Sequence, residues 1–329
     1  GQQARQRFHQ NGTGARPVLS ELAFIDRLKA ITTHPAARGL VDDVAMMPFG
    51  RHKLVMTHDM MVEGVHFLRD ADPADVAWKL VAVNLSDLAS KGAKPLGILL
   101  GYGRTSGDQW DAAFVEGLKQ AIDRFAVPLL GGDTVAMGED APRTFGLTAI
   151  GEAKGHIVPS RSNAKPGHAV YVTGNIGDAW AGLQIASGLL RSPDIDVTAS
   201  LLKAHTRPMP RLEEGRILSN LVSSMMDVSD GLLIDASRIA EASGVKIEID
   251  LAEIPLSKQF QSLVGDDREA RIKAASGGDD YQLLLTASPG SVLPIPLTCV
   301  GTCRPGSGLA LHSHGEGLEL PEHLGFLHA

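Results

Sequence analysis

The chain has 329 residues, a hydrophobic share of 43% and a formal net charge of −7, values that suit two soluble globular domains able to bury sizeable cores. No apolar run approaches the ~18 residues of a membrane-spanning helix, the N-terminus lacks the apolar core of a signal peptide, and the acidic balance argues against a nucleic-acid or acidic-membrane surface. Cys299 and Cys303, in LTCVGTCRPG, lack the partner Cys or His clusters of a zinc site, so packing or surface thiols in a reducing cytoplasm are expected.

Residues 1–17 hold Arg5, Arg7 and Arg16 with no acidic residue, and 1–19 read as a mobile arm. From Ser20, an N-cap, Leu22, Ile25 and Leu28 recur at helical spacing. Residues 40–47 and 53–57 predict two strands joined by a Pro48-Phe49-Gly50-Arg51 turn, which brings Asp42 and Asp43 beside the apolar run 54–67, LVMTHDMMVEGVHF. Asp72 before Pro73 is a helix start and Gly92 a matching stop. On that helix Ala77, Leu80, Val81, Leu85 and Leu88 form a stripe with Asn84 and Asp87 beside it. A strand over 95–102 and a helix marked by Trp110, Phe114, Leu118 and Ile122 follow. Residues 127–130 lead into Gly131-Gly132-Asp133-Thr134, and 144–150 close a first domain placed at 20–155.

The second domain, 156–329, begins with a strand over 169–173. The Gly174-Asn175-Ile176-Gly177-Asp178 turn before an alanine-rich helix reads either as an anion site or, the favoured reading, as a simple connecting turn. A strand over 225–230 ends in aspartates, Gly231 opens a helix that stops at Gly244, and a strand over 245–249 follows. Ser276-Gly277-Gly278-Asp279-Asp280-Tyr281 precedes a strand over 282–286, and the turn-rich end holds a strand near 298–300.

Each acidic junction taken singly can be a strand end capped by an Asx-turn. Their repetition at residues 42–43, 57–59, 84–87, 131–134 and 227–231 is the informative feature. Carboxylates gathered without Cys or paired His ligands suit hard cations, and the absence of a D-x-D-x-D-G loop favours Mg²⁺ over Ca²⁺. There is no G-x-x-x-x-G-K-[ST] loop and no HRD-type catalytic loop, so a nucleotide would be held through metals.

In order, Asp42-Asp43, Thr57-His58-Asp59, VEGVHF (62–67), AVNLSDLA (82–89), GGDT (131–134), DVSDGL (227–232) and GGDDY (277–281) closely resemble the thiamine-monophosphate kinase family, within the aminoimidazole ribonucleotide synthetase-like superfamily, over residues 20–329. The resemblance implies a two-domain α/β (α+β) fold whose N-terminal sheets pair in the barrel of a homodimer. It implies transfer of the γ-phosphoryl group of ATP to thiamine monophosphate, giving thiamine diphosphate, with several Mg²⁺ ions. Asp43, Thr57, His58, Asp59, Asp87, Asp133, Asp227 and Asp230 would surround the metals. Gly132, Asp133, Arg161 and Ser229 would contact ATP, His66, Asp279 and Phe326 would face thiamine monophosphate, and Asp133, Asp230 and Arg161 would carry the chemistry. Three positions depart from the family: Val41 stands for glycine, His58 for threonine or serine, and Asp279 for glutamate. The alternatives are another ATP-dependent synthetase of the superfamily and a regulatory protein that binds nucleotide and Mg²⁺ without turnover.

Overall fold

The computed structural model describes residues 21–327 apart from 106, 139, 155 and 156; the arm expected over 1–19, the Ser20 cap and the Gly155 boundary lie outside the described residues. The first unit is a sheet of β1 (Ala45–Phe49), β2 (His52–Val62), β3 (Ala93–Arg104), β4 (Leu129–Ala136) and β5 (Thr144–Ala153), ordered β1-β2-β5-β3-β4. Helix α1 (Glu21–Ile31) precedes it, α2 (Pro73–Ser90) packs on β2, β3 and β5, and α3 (Asp108–Phe125) lies beside α2. Phe49 pairs with His52, so the first hairpin turns more tightly than expected, at Gly50-Arg51. The strand expected from residue 40 starts later because a 3₁₀ segment, Pro35–Leu40, and bends at Asp42 and Asp43 come first.

Pleating splits β2 into two sets of side chains. Val55, Thr57 and Met61 are buried toward α2, whereas His58 and Met60 are exposed on the opposite face. Among the described residues no helix packs on that opposite face, and Met47, Phe49, Met60, Leu99 and Leu130 are exposed there.

Helix α2 begins where expected: the Asp72 carboxylate accepts the Ala74 N–H at 2.7 Å and Pro73 follows. Every residue from 76 to 90 is buried, which requires cover on all sides. The sheet covers one side and the second unit the other. At Gly215 of α6 (Leu212–Leu218) an added Cβ would lie 1.9 Å from the Ala89 carbonyl oxygen, so the close crossing of α2 and α6 depends on that glycine.

The second unit is a seven-stranded sheet ordered β12-β11-β8-β10-β6-β9-β7. Its strands are β6 (Ala169–Val172), β7 (Ser224–Asp227), β8 (Lys246–Asp250), β9 (Leu283–Ala287), β10 (Thr298–Arg304), β11 (Gly308–Ser313) and β12 (Glu316–Leu318). Its further helices are α4 (Asp178–Ala186), α5 (Ile195–Thr206), α7 (Leu232–Ser243), α8 (Lys258–Leu263) and α9 (Arg268–Ser276). Val170, Met226, Ile247, Leu284 and Val300 belong to its core, and a smaller core of Ala89, Leu218, Met225, Leu283 and Leu285 joins it to α2. The two mixed α/β units therefore meet along α2. No helix among the described residues is long and apolar enough to cross a membrane.

Candidate active site

Four elements bring carboxylates together at that junction: the bend before β1 supplies Asp43, β2 supplies Asp59, α2 supplies Asp87 and the end of β7 supplies Asp227. Asp43, Asp87 and Asp227 each offer an oxygen within 4.8 Å of the others, close to the ~4.2 Å that separates opposite oxygens around a Mg²⁺ ion. The Thr57 hydroxyl donates to Asp87 and lies 3.2 Å from the Asp43 carbonyl oxygen. Ser86 Oγ donates to Asp227 at 2.5 Å, and Asn84 Oδ1 accepts the Asp59 N–H at 3.0 Å. The Thr57 hydroxyl of β2 and the Ser86 hydroxyl and Asn84 amide of α2 thus hold a set of oxygen donors and their strand in place, as a site for a hard cation requires.

Burial is the main influence on their protonation. It raises Asp87 well above the usual carboxylate range, with the charges of Asp59 and Asp227 adding to it. Burial, then Asp43, pushes Asp227 up to about 7, and burial with Asp43 and Asp230 pushes Asp59 up to about 6. Asp43 moves down instead: burial opposes its charge, but the cations of Arg161 and Lys91 outweigh that effect. A cluster that resists its own ionisation is one that gains when a divalent cation binds.

Around it lies a cavity of about 510 Å³, within the range of ligand sites. Its lining includes Asp43, Asp59, Asp87, Asp227, Ser229 and Asp230, and also His66, Asp279 and Phe326 from the expected substrate side. Thr57 and Arg161 stand behind the wall: the Arg161 guanidinium is tied to Asp43 through Nη2, and its Nε is buried without a hydrogen-bond partner among the described residues. The expected contact of Arg161 with a nucleotide would require it to leave Asp43; in this structure it positions that carboxylate.

Gly132 and Asp133 are not part of this cavity. The expected strand-to-loop junction is instead the interior of β4, which pairs in parallel with β3, Gly101 opposite Asp133. The row Met60, Gly146, Gly101, Asp133 crosses the sheet, so Asp133 shares the open face with Met60, about 14 Å from β2 at three strand spacings. Asp133 is exposed, and its own carboxylate accepts the Thr134 N–H at 2.9 Å. His58 lies on the same open face, its Nδ1 2.8 Å from Thr148 Oγ1 and its ring 3.0 Å from where a Cβ on Gly146 would sit. Pleating turns the His58 side chain away from Thr57 and Asp59, so it does not join the carboxylates of this cavity.

The Asp279 carboxylate lines the cavity but is already engaged. Lys79 Nζ lies 2.7 Å from Oδ2, His205 Nδ1 3.4 Å from the same oxygen, and the Tyr281 hydroxyl donates to Oδ1 at 3.0 Å. Burial opposes its charge, yet Lys79 and His205 hold the group below the usual carboxylate range. Asp279 has φ +72°, a left-handed conformation that aspartate tolerates better than most side chains. Asp280 points the other way and accepts the N–H groups of Gly177 and Ala179 at 2.8 and 3.3 Å. The N-terminus of α4 is therefore capped by a carboxylate of the chain itself, and the turn reading of residues 174–178 is the one observed.

Lys79, Lys91, His205, Asp235 and Arg238 were missed from the sequence. Lys79, Val83 and Asp87 form a four-residue ladder along α2 toward the cavity, with Lys91 one step further, a signal present in the spacing. Lys91 is fully buried, its Nζ 2.6 Å from Asp42 and 3.5 Å from Asp43. Nothing local marks His205.

Comparison with known proteins gives a consistent picture. Residues 41–153 match the family described as AIR synthase related protein, N-terminal domain, and residues 165–295 match its C-terminal domain. The chain is 36% identical over 309 residues to the thiamine-monophosphate kinase of Caulobacter vibrioides, covering 89% of this chain and 86% of that protein. It is 37% identical over 274 residues to that of Escherichia coli, covering 80% and 83%. Among solved structures, AaThiL complexed with AMPPCP and TMP superimposes with a TM-score of 0.83 at 29% identity, covering 94% of this chain and 97% of that one.

Proposed function

The chain belongs to the thiamine-monophosphate kinase family, and from that premise we propose that it transfers the γ-phosphoryl group of ATP to thiamine monophosphate, giving thiamine diphosphate and ADP. The observation that carries the reading is the cavity in which Asp43, Asp59, Asp87, Asp227 and Asp230 share a wall with His66, Trp180 and Phe326. One part of this wall suits metal-bound phosphates, and the other suits a flat heteroaromatic ligand.

The donor set supports several Mg²⁺ ions held by Asp43, Asp59, Asp87, Asp227 and Asp230, which when bound would neutralise phosphate charge. A bond forms between an acceptor phosphate oxygen and the γ-phosphorus as the bond to the β-phosphate oxygen breaks, releasing ADP. The acceptor has a second pKa of about 6 and is largely dianionic at neutral pH, so no strong general base is needed. The chain's residues therefore act by in-line positioning. Arg161 and Lys91 hold Asp43, Thr57 and Ser86 orient Asp87 and Asp227, and Ser229 lines the cavity near the phosphates.

Asp133 and Gly132 are assigned to the site of a partner subunit. A homodimer joined through the open sheet faces would cover Met47, Phe49, Met60, Leu99 and Leu130 and carry β4 of one copy toward the cleft of the other. The domains are placed at 20–155, for nucleotide, metal and dimer contacts, and 156–329, and the enzyme in the cytoplasm. ADP release measured with and without thiamine monophosphate tests the activity. Release that depends on both thiamine monophosphate and Mg²⁺ is expected. Release driven by a different acceptor would indicate another synthetase, and no release at all would indicate a binding protein.

A further inference from the structure

The turn that carries Ser229 and Asp230 is gripped from α7. Asp235 is fully buried; its Oδ2 accepts the N–H groups of Ser229 and Asp230 at 3.1 and 3.2 Å. Arg238, one turn further along the helix, donates through Nη1 to Asp230 Oδ2 at 2.6 Å and to Asp235 Oδ1 at 2.7 Å. Those two bonds use both hydrogens of Nη1. The Nε–Nη2 edge makes no hydrogen bond or ion pair with any described residue, although Arg238 lines the cavity and its side chain is 31% exposed.

The neighbouring cations are differently placed. Lys79 is bound to Asp279, Lys91 is sealed against Asp42 and Asp43, and Arg161 is held behind Asp43. Arg238 thus combines a fixed edge with an unengaged one, in a wall where the one lysine, Lys79, is already paired with Asp279. The Nε–Nη2 edge of a guanidinium is a two-pronged donor matched to two oxygens of a phosphate. Nearby, the Phe326 N–H donates to the Asp230 carbonyl at 2.9 Å, so Arg238 and Phe326 hold the same residue from two directions. A heteroaromatic ligand against Phe326 and Trp180 would bring a phosphate on its tail to the Asp230 turn.

We propose that the Nε–Nη2 edge of Arg238 binds the phosphate of the acceptor, while the Asp235 and Asp230 contacts hold the guanidinium in place; this rests on the reading of thiamine monophosphate as the acceptor. It makes Arg238 the residue by which the cavity distinguishes a phosphorylated acceptor from its unphosphorylated alcohol.

The test is calorimetric binding of thiamine monophosphate, thiamine and the non-hydrolysable ATP analogue AMPPCP, with Mg²⁺ present, to the wild type, Arg238→Gln and Arg238→Lys. The lysine variant keeps a cation beside Asp230 and Asp235, and so the fold, but loses the fork. The wild type is expected to prefer thiamine monophosphate over thiamine by at least tenfold. Both variants should lose most of that preference, with thiamine and AMPPCP binding unchanged within about twofold. An unchanged preference in Arg238→Lys, or a loss of AMPPCP affinity in place of thiamine monophosphate affinity, overturns the assignment alone. A wild type that binds no thiamine monophosphate overturns the functional reading and this inference with it.

Discussion

Replacing Asp227 with asparagine should make the metal-free protein more stable and the enzyme inactive. Burial, reinforced by Asp43, raises the Asp227 carboxyl from 3.8 to about 7. A carboxyl raised in the folded state favours folding only while it is protonated, so its contribution is full below about pH 4 and is lost as pH rises through 7. At pH 8 the folded, metal-free protein carries a penalty of up to about 4 kcal/mol from this group, at ~1.4 kcal/mol for each unit of the rise. Asparagine has no charge to ionise and can still accept the Ser86 hydrogen bond. Asp227 also attracts Arg161, which offsets part of the gain. A net stabilisation of about 1–4 kcal/mol remains, or roughly 2–8 °C in Tm for a chain of this size. Scanning calorimetry in EDTA at pH 8 and 5.5, and with Mg²⁺ at pH 8, reads it. The variant should melt above the wild type in EDTA at pH 8, by roughly half that margin at pH 5.5, where the folded carboxyl is protonated but its unfolded counterpart is ionised, and gain little from Mg²⁺. A variant that melts lower in EDTA at pH 8, or gains as much from Mg²⁺ as the wild type, would refute the reasoning.

Because Asp59 and Asp227 titrate upward, at about 6 and 7, Mg²⁺ must displace their protons at low pH. The Mg²⁺ concentration giving half of the Tm gain should therefore fall at least tenfold between pH 5.5 and 8; a flat profile would contradict the ligand set. If Asp133 serves the partner's site, mixing inactive Asp133→Asn with inactive Asp227→Asn subunits should restore about a quarter of wild-type activity, through heterodimers with one intact site. Sedimentation equilibrium should find twice the chain mass of 34.8 kDa, and a clean monomer would remove the basis for that mixing experiment. Asp280→Ala leaves the buried N–H groups of Gly177 and Ala179 without their carboxylate; it should cost about 1–3 kcal/mol, read as a lower urea midpoint. An unchanged midpoint would mean that water replaces the cap.

The parts of the fold that sequence made legible are those coded locally. Asp72-Pro73 sets the start of α2, and glycine stops it. The aspartates after apolar runs were visible as a group because one residue type recurs in one setting. What sequence hid was the partner of each group. Lys79 and Asp279 are 200 positions apart, and Gly131-Gly132-Asp133 lies inside a strand only because β3 supplies its backbone partners. Side of sheet was also hidden: His58 sits between Thr57 and Asp59, yet pleating sends it to the open face. That placement explains how histidine can stand there without disturbing the carboxylates. Val41 has a similarly simple account. Its φ is −113°, accessible to any residue, and the left-handed conformations fall on Arg38, Gly39 and Leu40. The turn-rich end concealed β11 and β12: in β11 the apolar alternation is a single pair, Leu309 and Leu311, and β12 has three residues, both short of a legible strand pattern.

The most direct test of the account follows the phosphoryl group itself. With ATP labelled at the γ-phosphate, thiamine monophosphate and Mg²⁺, the label should appear in thiamine diphosphate in a one-to-one ratio with ADP and be absent from free phosphate. Label recovered as inorganic phosphate, with thiamine monophosphate unchanged, would contradict direct transfer between the two substrates in this cavity.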